Sequence, residues 1–306
     1  MLHIPLVILP VFLLIFLGYL CRRFSFPGEG FWAPAEKLTY YFLLPALLTI
    51  ILAEAEFVTT DLFPLMITVL GAVCAVATLC FLLRPFLGID GPAFTSFFQA
   101  VVRLNSYTGL SIAYGLYGDS GLALVAVVAC VLVPFGNVSS VIVLARHGTR
   151  ARPTVRDILF QVVTNPLILG CVLGGLLNVT GIGSPPVIGD VLKILSRAAL
   201  PLGLLAVGAA LDLRGAWSAR RSALTACAVK LVLLPLATFL TALWLGLSGP
   251  ALVIAVLING LPTASSSYIL ARLMGGDAPF MANLFGAQTL FSMASLPLAL
   301  TLLHFL

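Results

Sequence analysis

Apolar stretches of bilayer-spanning length recur from one end of this chain to the other, and that recurrence limits its fold more than any other feature. A helix needs about 20 apolar residues to cross the hydrocarbon core. Of the 306 residues, 61% are hydrophobic and 9% charged, whereas a soluble domain carries roughly a quarter charged residues. The polar gaps are too short to hold a separate soluble domain. Continuous apolar runs, rather than alternating ones, satisfy their backbone as helices in lipid. The chain therefore reads as an all-α polytopic membrane protein.

Ten spans are expected, near residues 4–21, 36–53, 62–83, 92–117, 121–145, 155–178, 188–211, 220–245, 250–274 and 278–305. Loop charges alternate between them. Arg22, Arg23 and Lys37 flank the first loop, and Arg84 edges the third. The fifth holds Arg146, His147, Arg150, Arg152 and Arg156. Arg214, Arg220 and Arg221 lie in the seventh, and Arg272 edges the ninth. The second loop has Glu54, Glu56 and Asp61, and the fourth only Asp119. By the positive-inside rule the odd loops are cytoplasmic and both termini lie outside, with Lys193 and Arg197 as exceptions. The expected location is the cytoplasmic (inner) membrane. No Lys or Arg precedes the first apolar run, and Arg22 and Arg23 follow it, the reverse of a signal peptide's charge order. The first helix is therefore expected to stay.

A sequence pI near 9.0 does not point to nucleic acid, because the bases sit in alternate loops and not on one surface. The six cysteines, Cys21, Cys74, Cys80, Cys130, Cys171 and Cys227, lie in or beside apolar runs without a C-x-x-C pair. They read as small packing residues, and no metal or cofactor is expected.

Two spans carry polar interruptions. In the ninth, the apolar approach from Ala251 to Ile258 meets Asn259, Gly260 and Pro262 and then a run of hydroxyls. Proline lacks an N–H and its ring clashes with the preceding turn, costing about 3 kcal/mol inside a helix. Such broken helices mark substrate sites in secondary transporters. The fourth span holds the other interruption, Arg103-Leu-Asn-Ser-Tyr-Thr-Gly109.

The two halves share a register. Pro10 and Pro166, Gly18 and Gly174, and Pro45 and Pro201 are each 156 residues apart, while Gly118-Asp119 and Gly276-Asp277 are 158 apart. A duplication is expected: residues 1–147 form one five-helix repeat, 148–154 a basic cytoplasmic linker, and 155–306 a second repeat. Five spans is an odd number, so the second repeat enters from the opposite side and is inverted. In this register helix 4 is the partner of helix 9, with Leu104 on Pro262, Asn105 on Thr263 and Ser106 on Ala264. The two interruptions are expected to cross near the midplane.

In these residues the chain resembles the auxin efflux carrier family of membrane transporters, in its bacterial branch, over essentially its full length. The most specific part is Pro262-Thr-Ala-Ser-Ser-Ser-Tyr-Ile-Leu-Ala-Arg272, then Met274-Gly-Gly-Asp277 and Gln288-Thr289. Leu44-Pro45-Ala46-Leu47, Arg103 through Gly109, Pro134-Phe-Gly-Asn137 and Lys230 through Pro235 support it. The resemblance implies ten helices in two inverted five-helix repeats, crossed broken helices 4 and 9, and transport of organic acid anions. Bacterial members are linked to malate or malonate and plant ones to auxin. Many relatives carry a proline in the helix 4 break. Here none lies between Pro92 and Pro134, so Gly109, with Asn105 and Ser106, is expected to supply it.

Arg103 is a fixed charge inside a span. Its fork of donors suits a carboxylate, or it bonds carbonyls freed by the break. Lys230, well inside span 8, attracts the anion, neutralises a half-helix C-terminus, or carries a coupling proton. Asn105, Thr263 and Ser265 cradle a carboxylate with the half-helix N-termini, or only satisfy freed backbone groups. Asn259 stabilises the approach to Pro262. Asn137 and Gln288 face the same cavity or bond between helices. No Asp or Glu is expected deep inside a span, which disfavours a cation exchanger and favours an anionic substrate. The expected function is thus a secondary active or facilitative carrier of small mono- or dicarboxylates, by alternating access around the helix 4/helix 9 crossover. An anion-selective channel is the alternative. An intramembrane hydrolase lacks a midplane histidine or aspartate pair. Proton coupling and a homodimer are left open by the sequence.

Overall fold

The computed structural model describes residues 3–28, 30–56, 59–149, 154–212 and 221–304. Glu29, Arg150, Arg152, Arg214, Trp217 and Arg220, and with them most of the expected linker 148–154, lie outside the described residues. Among the described residues every regular element is helical. Seven stretches are long and apolar enough to cross a membrane, and Pro166–Val179 and Gly249–Gly260 are shorter apolar helices. The architecture is that of a multi-pass membrane protein.

The first helix, α1, is His3–Arg23. Trp32–Leu38 (α2) runs through one π-helical turn, Thr39–Leu43, into Leu44–Ala53 (α3). Pro45 stands in the first turn of α3, where its missing N–H would leave an open bond. The wider π turn just before it takes up that defect. The same grammar recurs where Arg221–Ala228 (α10) passes through the π turn Val229–Leu233 into Leu234–Trp244 (α11), with Pro235 in the first turn. Between them lie Thr59–Leu87 (α4), Gly91–Val102 (α5), Ser106–His147 (α6), Val155–Val163 (α7), Pro166–Val179 (α8) and Ile188–Ala209 (α9). Gly249–Gly260 (α12), Ser266–Met274 (α13) and Ala278–His304 (α14) complete the order.

The boundary expected between spans 4 and 5 is present, and two other details depart from a plain reading of the spans. Within α6, Gly118 adopts φ 60° and ψ −141°, which only glycine takes without strain, so α6 is two rods meeting at a kink. The stretch 155–178 is not one helix. It breaks before Pro166, and Asn165 caps α8 by accepting from Leu167 N at 2.9 Å. In span 4 the interruption falls at residues 103–105. Gly109 lies inside the helix that follows, so the missing proline is not replaced by that glycine.

The chain divides into two compact units. Met1–Thr59, Tyr107–Cys130 and Phe160–Ala210 form one; Thr60–Ser106, Val131–Leu159 and Leu211–Leu306 form the other.

In the first unit, α1 packs along α9 and α3 along α8. Small residues set these contacts, as expected where lipid supplies no hydrophobic drive between helices. A Cβ on Gly18 would fall 2.8 Å from Leu205 Cα, and one on Gly174 2.5 Å from Thr49 O. Gly170, the other glycine of the G-x-x-x-G, lies against Pro45, and Thr49 Oγ1 donates to its carbonyl at 3.1 Å. Lys193 pairs with Glu54 at 2.7 Å, both half exposed. That pair accounts for a base on the acidic side of the loop pattern.

In the second unit, α5, α12, α13 and α14 gather around the two breaks, with α10 and its π turn against α5 and α14. Cations close several helices here: Arg84 in the last turn of α4, Arg146 in that of α6, and Arg272 in that of α13. Each sits where the helix dipole is negative.

Candidate anion site at the helix crossing

The second unit holds both breaks, and they touch. At the end of α5, Arg103 turns extended (φ −81°, ψ 159°) and its N–H still closes onto Gln99 O at 3.0 Å. At the end of α12, Leu261 does the same (φ −66°, ψ 148°). Asn105 N then donates to Pro262 O at 2.9 Å, a direct backbone bond between the breaks. Proline cannot donate but its carbonyl accepts freely, which is what this contact uses.

Behind this bond lies a closed polar brace. Gln288, on α14, is fully buried and uses both ends of its amide. Its Oε1 accepts from Thr263 N at 2.9 Å and its Nε2 donates to Ala100 O at 3.1 Å. Thr263 Oγ1 bonds Gln99 O at 3.3 Å and shares a 3.2 Å bond with Ser267 Oγ. Backbone groups freed by a broken helix must be repartnered inside the protein, and Gln288 and Thr263 do this. Asn259, in the last turn of α12, donates to Thr238 Oγ1 at 2.7 Å and to Val69 O at 3.2 Å, fastening the end of α12 to α11 and α4.

In front lies a partly open face. Arg103, Ser106, Ala264, Ser265 and Ser266 are half-buried, while Gln99, Asn105, Thr263 and Ser267 are closed off. The Arg103 guanidinium donates to Ser266 Oγ at 3.0 Å and reaches Gln99 Oε1 at 3.4 Å. Ser266 is the first residue of α13, and Ser265, the N-cap, makes no capping bond with its side chain. A fixed cation thus stands at the positive end of a helix dipole. Two positive sources side by side suit an anion between them. Helix α6 passes alongside: a Cβ on Gly136 would lie 3.6 Å from Arg103 Cγ. Asn137, the next residue, is half-buried.

Lys230 is 1% exposed and makes no hydrogen bond or ion pair among the described residues. Its height follows from its neighbours. Cys227, one turn earlier, packs on Ala287, and Pro235, further on, touches Gly260. Lys230 therefore stands level with the break after Gly260. Its π turn faces α5, α12 and α14.

The sequence pointed to Arg103, Asn105, Thr263, Ser265, Asn259, Pro262, Lys230 and Gln288, and the structure places all of them in the second unit around the crossing. Gly109 falls in the first unit, inside α6. Sequence reading missed Gln99, Ser266 and Ser267. Gln99 stands four residues before Arg103, one helical turn away, which was the available signal.

A family profile described as membrane transport protein matches residues 3–300 of this chain. A Rhizobium meliloti (strain 1021) protein named "Putative malonate transporter" is 27% identical over 280 residues, covering 88% of this chain and 86% of its own length. A Methanothermobacter thermautotrophicus (strain Delta H) protein named "Uncharacterized transporter" is 24% identical over 301 residues, 95% of each chain.

Proposed function

The chain belongs to the membrane transport protein family, the auxin efflux carriers, and from that premise we propose that it carries small organic acid anions through the crossing of its two broken helices. The observation that carries this reading is the Arg103 guanidinium held 3.0 Å from Ser266 Oγ at the start of α13. A carboxylate entering there meets the guanidinium, the hydroxyls of Ser265 and Ser266, and the positive end of the α13 dipole. Asn105 lines the floor. Thr263 and Gln288 keep the two breaks in register behind it, and Asn259 and Pro262 fix the approach. The buried ammonium of Lys230 adds a second positive source at the same height, which suits a dicarboxylate. The name of the Rhizobium relative is in keeping with that class. Lys230 is also the place where a coupling proton would ride.

The reading includes ten spans in two inverted five-helix repeats, 1–147 and 155–306, placed in the cytoplasmic membrane with both termini outside. A symmetry of contacts supports the duplication. The pair Gly18–Leu205 becomes Gly174–Thr49 when each residue is carried 156 positions into the other half. The site then opens alternately to the two sides.

Uptake of radiolabelled malonate, malate and an aromatic acid into proteoliposomes tests the site. Arg103→Ala and Arg103→Lys should each lower uptake at least about tenfold, since a hydrogen bond to a charged group contributes about 1.5–3 kcal/mol. Unchanged uptake and affinity in both variants would end the proposal. Flux that does not saturate with substrate would replace the carrier by a channel.

A further inference from the structure

We propose that the second unit carries a binding site for an anionic phospholipid, separate from the helix crossing. Between α4 and α6 an open groove of about 280 Å³ is lined by Cys74, Thr78, Phe81, Phe98, Phe135 and Ile142 among others. Its walls are almost wholly apolar, and Phe81 and Ile142 are exposed at its rim. Such a groove on a membrane protein takes an acyl chain.

What distinguishes this groove is the group of cations at one end. Arg84 follows Phe81 by three residues, and Arg146 follows Ile142 by four, so each stands one turn beyond a groove wall on the same face of its helix. Both lie in the last turn of their helices, the depth at which headgroups meet a helix end. Arg84 Nη1 lies 3.3 Å from His147 Nε2. A guanidinium can only donate, so that imidazole nitrogen is the acceptor, the ring is neutral, and its proton is on Nδ1. Arg84 also lies over the Phe94 ring, 5.1 Å from its centroid, and Phe94 meets the His147 ring edge-on. The guanidinium is thereby fixed in place with other N–H groups left to donate.

The acids at this end are already occupied. Asp90 Oδ1 accepts from Ala93 N and Asp277 Oδ1 from Phe280 N, each capping a helix. Among the described residues neither forms an ion pair with Arg84 or Arg146. Two arginines without a carboxylate, above an apolar groove, match the two ends of one ligand: a phosphodiester on the cations and a chain in the groove.

The test uses the purified, delipidated full chain in detergent, incubated with phosphatidylglycerol, phosphatidylcholine or glycerol 3-phosphate, and read by native mass spectrometry and thermal unfolding. Phosphatidylglycerol should remain bound and raise the melting temperature; the other two should not. Arg84→Gln and Arg146→Gln should each reduce retention at least about fivefold, from the contribution expected of one arginine near an anionic headgroup. Arg84→Lys should keep most of it. Thr78→Trp, at an exposed groove position, should displace the lipid with both arginines intact. Equal retention of phosphatidylcholine, or glutamine variants that bind as before, would overturn the proposal. So would equal protection by glycerol 3-phosphate, which would mean a bare phosphate site. If Thr78→Trp instead turned a dimer into a monomer with lipid retention unchanged, the groove would belong to a second copy of the chain and the proposal would fall.

Discussion

Substituting Gln288 and substituting Arg103 should produce different defects, because one side chain braces the crossing and the other faces out of it. Gln288→Leu keeps the volume but leaves Thr263 N and Ala100 O without their partner. A buried polar group so abandoned costs about 1–3 kcal/mol, so the melting temperature in detergent should fall. The substrate affinity of the folded fraction should stay within about twofold, since the loss is one of stability and not of a ligand contact. Lys230 should do the reverse. An uncompensated buried charge opposes folding, so Lys230→Met should raise the melting temperature while cutting anion uptake. If Lys230 carries the coupling proton, wild-type uptake falls as pH rises, because deprotonation removes the charge. Lys230→Gln would abolish that dependence, and an unaltered pH profile would eliminate the proton role. Arg103, Asn105 and Lys230 were legible in the sequence because a charge or amide inside an apolar span is costly enough to need a reason. Gln99 and Ser266 were not, since their part depends on which neighbour the folded chain brings to Arg103.

Helices α3 and α8 meet through backbone, and that sets what the pair tolerates. A Cβ on Gly174 would lie 2.5 Å from Thr49 O and 2.9 Å from Leu52 Cβ, so both helices would have to move. Gly174→Leu should therefore destabilise the first unit by about 1–3 kcal/mol, the usual range for overpacking, and be visible as a lower unfolding midpoint. Gly175 has nothing within 4 Å of its Cβ position, so Gly175→Leu is the control and should change little. The close approach was readable from Gly170-Cys-Val-Leu-Gly174, though its partner was not. Helix breaks were legible to different degrees. Pro262 announces one. The break at residues 103–105 has no proline or glycine, and only its polar residues gave it away. The break before Pro166 was hidden, because prolines near span starts also sit in unbroken helices, as Pro10 does within α1. Neither π turn had a distinguishing sequence signal, since each forms where packing favours widening the turn ahead of a proline.

For the whole molecule, the arrangement of bases in alternate loops predicts an orientation that can be checked directly. A reporter active only outside the cytoplasm, fused after Leu306, should be active; one active only in the cytoplasm should be silent. The opposite result would overturn this topology. Sequence alone determined that this chain is helical and lives in a membrane, because hydrophobic length, proline placement and charge spacing act along the chain and can be read along it; its likeness to transporters was carried by motifs such as the run from Pro262 to Arg272. Only the tertiary structure decided which polar groups at the crossing brace it and which remain open. That choice rests on the bond from Asn105 N to Pro262 O, made between residues far apart in sequence. No pattern within either segment fixes how the two breaks meet, so none could separate Thr263 and Gln288, turned inward, from Arg103 and Ser266, turned toward the open face.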